Sequence, residues 1–95
     1  MSSSTVTDNT ADSRYELQMD GVLAGVAVYH LKDDSVVFTH TEIDSGVGGH
    51  GHGSTLVRAA LDDVRARGLS VVPQCPFVKA YIEKHQEYAD LLKAA

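Results

Sequence analysis

In 95 residues the chain has one cysteine, two prolines and no tryptophan. A lone Cys75 cannot staple the chain to itself, so no disulfide framework exists and the expected compartment is the reducing cytoplasm. An excess of basic residues is missing too: 8 Lys and Arg stand against 13 Asp and Glu, for a net charge of −5. That balance lacks the electrostatic footprint of a nucleic-acid binder. No apolar run approaches the ~18–20 residues that span a bilayer, so no membrane partner is expected. The first twelve residues, Met1 to Asp12, have neither the basic patch nor the apolar stretch of a signal peptide. They read as a solvated tail ahead of one domain over residues 13–95. A domain this short buries only ~60–65% of its unfolded surface, which suits a monomer or a homodimer.

What the chain does have is order. Arg14 to Met19 alternates, with Tyr15, Leu17 and Met19 on one face, and Asp20-Gly21 is a hairpin dipeptide. A second strand follows over Val22 to Leu31, with Val22, Ala24, Val26 and Val28 on one side. After the polar turn at Lys32-Asp33-Asp34-Ser35 comes a third, Val36 to Ile43, whose faces are Val36, Phe38, His40, Glu42 and Val37, Thr39, Thr41. Ser54 to Arg67 places Leu56, Val57, Ala60, Leu61 and Val64 at helical spacing, and Gly68 ends that helix. Leu69 to Val72 is long enough for a buried strand. Pro76 opens a second helix at its first position, and a last turn runs from Gln86 to Leu92. The expected order is β-β-β-α-β-α: an α/β (α+β) fold with an antiparallel meander followed by a parallel β-α-β unit.

Five glycines fall within Gly46 to Gly53, in the run Gly46-Val47-Gly48-Gly49-His50-Gly51-His52-Gly53-Ser54 between a strand and a helix. Amide groups without side chains, set at the positive end of a helix dipole, form a place for phosphate oxygens. Gly46-x-Gly48-x-x-Gly51 matches the dinucleotide fingerprint letter for letter. The acidic residue that fingerprint needs about 20 positions on is missing from Val72-Pro73-Gln74-Cys75. A nucleoside-triphosphate loop is excluded, because no Gly-Lys-Ser/Thr follows.

The wider pattern, Thr41-Glu42-Ile43 and then Gly48-Gly49-His50-Gly51-His52-Gly53-Ser54 opening a helix, resembles the coenzyme A loop of the GNAT superfamily of N-acetyltransferases. His40-Thr41-Glu42-Ile43, Arg65-Ala66-Arg67-Gly68, Cys75-Pro76-Phe77-Val78, Tyr81-Ile82 and His85-Gln86-Glu87-Tyr88 extend the likeness to its small, YjdJ-like, single-domain branch, over about residues 14 to 92. The resemblance implies a GNAT-like mixed sheet and an acetyl-coenzyme A-dependent transfer of acetyl to a small-molecule or peptide amine. It implies that Ile43, Gly48, Gly49, His50, Gly51, His52, Gly53 and Ser54 hold the cofactor. Gly48 stands where the family usually has Arg or Gln, which removes a charged donor worth roughly 1.5–3 kcal/mol. His50, His52 or Arg58 would compensate.

Four side chains suit the chemistry. Cys75 precedes Pro76 and so occupies the expected N-cap of the second helix. A thiol there meets unpaired amides and the positive end of a dipole, which favours the thiolate and makes it a candidate acetyl acceptor. The alternative is a small buried hydrophobe. His40 or Glu42 would deprotonate the amine. Tyr81 would protonate the leaving thiolate, or else simply pack in the core. Two further readings stay open: a coenzyme A-binding module without catalysis, and a metal site built from His50, His52 and either His40 or Cys75.

Overall fold

The computed structural model describes residues 4–43 and 52–92. Its elements are β1 (Ser4–Asn9), β2 (Arg14–Met19), β3 (Val22–Lys32), β4 (Ser35–Ile43), α1 (His52–Ala66), β5 (Ser70–Pro73), α2 (Pro76–Lys84) and a closing 3₁₀ turn, Gln86–Leu91. They form one five-stranded sheet in the order β1-β2-β3-β4-β5, antiparallel throughout except for the parallel β4–β5 pair. The expected α/β architecture is present, with one strand more than the sequence suggested. Among the described residues no helix is long and apolar enough to cross a membrane.

The extra strand is a correction. Residues expected in a solvated tail instead form β1, paired with β2 over six positions from Ser4↔Met19 to Asn9↔Arg14. One apolar side chain, Val6, packs toward the core, and polar chemistry supplies the rest of the anchorage. Asp8 forms an ion pair with Arg67 just past the end of α1 (2.7 Å), and Arg67 also reaches Asp63 (3.0 Å). The Tyr15 hydroxyl donates to Asp63 (2.7 Å) and the Tyr29 hydroxyl to Asp8. Thr5, Val6 and Thr7 are β-branched, and that was the available hint of a strand.

Turn chemistry explains the local geometry. Asp20 and Gly21 both take positive φ (52° and 85°), as the tight hairpin between β2 and β3 demands. Two bulges then reassign the faces. Leu17 pairs with Gly25 but Gln18 with Leu23, so Ala24 is an inserted residue. The expected stripe Val22, Ala24, Val26, Val28 is therefore split: Ala27 and Tyr29 enter the core while Val26 and Val28 turn to the opposite face. Likewise Tyr29 pairs with Phe38 but Val28 with His40, which leaves Thr39 over. From there Thr41 and Ile43 continue the Phe38 face, and His40 and Glu42 lie on the other one.

A single core joins Tyr15, Leu17, Ala27, Tyr29, Val36, Phe38 and Val71 of the sheet to Leu56, Val57, Ala60, Leu61 and Val64 of α1 and Val78, Tyr81 and Ile82 of α2. Both helices thus cover one face, and no helix among the described residues covers the other.

All four tyrosines of the chain hold their protons more tightly than free tyrosine. Burial is the main cause throughout. It pushes Tyr29, aided by its hydrogen bond to Asp8, and Tyr88, aided by its bond to Asp62, up to about 12. Tyr15 is shifted further in the same direction and Tyr81 also moves up. A folded-state value above the unfolded ~10 favours folding by an amount fully present below pH ~10 and lost as pH climbs through ~12. The ultraviolet phenolate signal is expected to stay flat near pH 10, then rise together with the loss of circular dichroism above about pH 12. Two or more tyrosines titrating near pH 10 with the dichroism intact would contradict this.

Candidate functional site

The decisive geometry lies where β4 and β5 part. Their ladder runs from Ser35↔Ser70 to Phe38↔Pro73, and the Cys75 N–H donates to the Phe38 carbonyl (2.9 Å) as a last link. Beyond that point β4 continues to Ile43 paired only with β3, while the chain after β5 turns into α2. The unpaired edge of β4 from Thr39 onward leaves a gap in the sheet.

Cys75 sits at this gap as the N-cap of α2, with an extended backbone (φ −73°, ψ 125°) and Pro76 following at the first helical turn. It is 3% exposed, and its Sγ lies 3.3 Å from Thr41 Oγ1. Thr41 belongs to the His40-Thr41-Glu42-Ile43 motif, and the Thr39 bulge is what turns it toward Cys75, a placement that simple alternation does not show. His40 and Glu42 stand on the far face of the same strand, both exposed, with His40 Nε2 3.7 Å from Glu42 Oε2. The structure therefore brings Cys75 and Thr41 together on one side of β4, and His40 and Glu42 on the other.

Tyr81 lies six residues after Cys75, about 9 Å along α2. It is buried, and its ring stacks on His85 at 4.2 Å between centroids. Burial favours its protonated form. With Ser54, Phe77, Ala80, Lys84 and His85 it lines a groove of about 210 Å³ between the start of α1 and α2.

Of the eight expected cofactor residues, Ile43 ends β4 partly buried, and His52, Gly53 and Ser54 open α1. Gly48, Gly49, His50 and Gly51 lie outside the described residues. The first turn of α1 carries no acidic side chain, so no carboxylate of its own competes for the amides there. Gly53 lies directly under the tip of Phe77: a Cβ there would come within 2.5 Å of Phe77 Cζ, so the exposed ring would have to move aside. The Phe77 ring, 44% exposed, closes over the helix start and forms one wall of the groove. An aromatic and apolar wall with a helix N-terminus at one end and Lys84 at the other fits a ligand that alternates alkyl and phosphate groups. Among the described residues no three His, Cys, Asp or Glu side chains gather as a metal-binding group.

The model of the GCN5-related N-acetyl-transferase family matches residues 14–91, most of the chain. The chain belongs to that family. This acetyltransferase shares its fold with several solved structures. One is a GCN5-like protein of Staphylococcus aureus solved by NMR (TM-score 0.72, 19% identity, covering 96% of this chain and 89% of that one). Another is the ribosomal-protein-S18-alanine N-acetyltransferase of Escherichia coli (TM-score 0.67, 14% identity, 90% and 76% covered). A third is a ribosomal-protein-alanine N-acetyltransferase of Brucella melitensis biovar Abortus (TM-score 0.58, 20% identity, 86% and 62% covered). Curated proteins gave no match. At such identities the likeness speaks for the fold, and the family assignment rests on the sequence match of the acetyltransferase itself.

Proposed function

We propose that this acetyltransferase takes acetyl from acetyl-coenzyme A and delivers it to an amine, with residues 48–54 gripping the diphosphate and Cys75 receiving the acetyl carbon. The observation that carries this reading is the Cys75–Thr41 contact at the point where the β4–β5 ladder stops. The acyl donor, bound in the groove beside Phe77 and Tyr81, would supply an activated thioester. Cys75 Sγ would form the new S–C bond as the donor's C–S bond breaks; Tyr81 would give a proton to the departing sulfur, and the proton shed by the Cys75 thiol would replace it on Tyr81. Thr41 orients the thiol. At the gap beyond Phe38, where β4 has lost its β5 partner, the acceptor ammonium reaching Cys75 would give a proton through a water to Glu42 or His40 on the other face. The freed amine forms the N–C bond while the Cys75 S–C bond breaks, restoring the thiol. A cavity of about 300 Å³ lined by Leu23, Ala24, Gly25, Val26, Glu42 and Ile43 suits the acceptor: apolar walls around one carboxylate. The excess of acidic residues favours a cationic acceptor as well.

Acetyl-coenzyme A at about a hundredfold excess over Kd is expected to raise the melting temperature by about 10–20 °C, since a ligand of the native state alone adds ~2.7 kcal/mol. No shift at millimolar ligand would remove the reading. The burial of Cys75 favours a second one, a coenzyme A-binding module without turnover. Labelled donor and mass spectrometry separate the two, because only transfer leaves acetyl on the protein or on an amine.

A further inference from the structure

The open face of the sheet holds a cavity that acetyl transfer does not use. It measures about 220 Å³ and is lined by His30, Lys32, Ser35, Val37, Val72 and Gln74. Register explains why these side chains meet: Val37 pairs with both His30 and Val72, and Ser35 pairs with Lys32. All belong to β3, β4, β5 or the residue just past β5, on the side away from α1 and α2.

The lining has a definite chemistry. Val37 is buried and Val72 half-buried, so the middle of the cavity is apolar. Every polar side chain around it can donate a hydrogen bond: an ammonium, an imidazole, a carboxamide and a hydroxyl. None is acidic; Asp33 and Asp34 lie in the adjoining turn, outside the lining. Ser35 adds an independent observation. It is 1% exposed, and among the described residues its hydroxyl has no hydrogen-bond partner. Buried hydroxyls are nearly always paired, and an orphan costs stability unless a ligand completes it. The volume lies below the ~300–1,000 Å³ of sites for drug-sized molecules, so the ligand is small.

We propose that this cavity binds a small organic carboxylate, its anionic head between Lys32 and the Ser35 hydroxyl and its hydrocarbon body over Val37 and Val72. The inference is independent of the acyl-transfer site. Amide chemical shifts of the whole protein, titrated with butyrate, acetate, butyramide and inorganic phosphate, test it. Butyrate is expected to give saturable shifts centred on the six lining residues, acetate weaker ones, and butyramide none. Ser35→Ala is expected to weaken butyrate binding about tenfold or more while leaving the melting temperature equal or higher, since an unpaired hydroxyl is gone. Lys32→Gln, at an exposed position, should weaken it similarly with the fold unchanged. Four results would each overturn the proposal: no saturable shift, equal binding of butyramide, phosphate binding at least as tightly as butyrate, or a lower melting temperature in Ser35→Ala. Should that variant fail to fold, undiminished butyrate binding by Lys32→Gln would do the same.

Discussion

Cys75→Ala is expected to lower kcat at least about a thousandfold, the scale on which an enzyme loses turnover with its covalent nucleophile. Among the described residues the thiol is the strongest nucleophile at the β4–β5 gap and can hold an acetyl group between donor and acceptor, and alanine leaves the backbone link from Cys75 to Phe38 in place. The fold should survive, because the substitution removes one small buried atom. Coenzyme A binding should survive too, since the helix start at His52–Ser54 and the ring of Phe77 are untouched. Loss of protein-bound acetyl together with turnover supports the covalent route. Full activity in Cys75→Ala would instead mean direct attack of the amine on the donor, with Glu42 and His40 keeping their role.

Phe38→Ala is expected to cost about 3–5 kcal/mol, a large part of the ~5–15 kcal/mol that holds a domain of this size. The residue is 1% exposed. Its ring centroid lies 6.1 Å from that of Tyr15 and 6.2 Å from that of Tyr29. Its backbone closes the β4–β5 ladder against Pro73 and Cys75. A cavity here would sit under the gap, so the urea midpoint should fall steeply with the slope nearly unchanged. A loss below about 1 kcal/mol would mean that the ring is not the keystone of this core.

The sequence made the antiparallel meander, both helices and the parallel β4–β5 pair legible, because turns and helix ends carry strong local chemistry. Asp20-Gly21, Gly68 and Pro76 each mark a boundary whose backbone requirement only a few residues meet. The faces of β3 and β4 were not legible. Alternation assumes an unbroken ladder, and nothing about Ala24 or Thr39 announces an inserted residue. The second bulge hid the main feature of the site, because it decides that Thr41 meets Cys75 and that Glu42 does not. β1 was hidden for another reason: its anchor is the pairing of Asp8 with Arg67, far apart along the chain, and local composition cannot show such a partner. The glycine run, read from its composition as an anion-binding loop, lies mostly outside the described residues, just ahead of α1 in the sequence. The groove that adjoins it depends on Phe77 meeting Gly53, a contact between two elements.

The two rims of the sheet are unequal. At one, Leu92 forms a parallel bridge to Val71 and occupies that position of β5 from outside. At the other, β1 presents polar backbone with no strand beyond it among the described residues. A rim partly occupied, as β5 is by Leu92, is a poorer template for strand addition than one open along its length. A second copy joined rim to rim about a two-fold axis would pair β1 with β1 and leave the β5 rims, each carrying its Leu92 bridge, outermost.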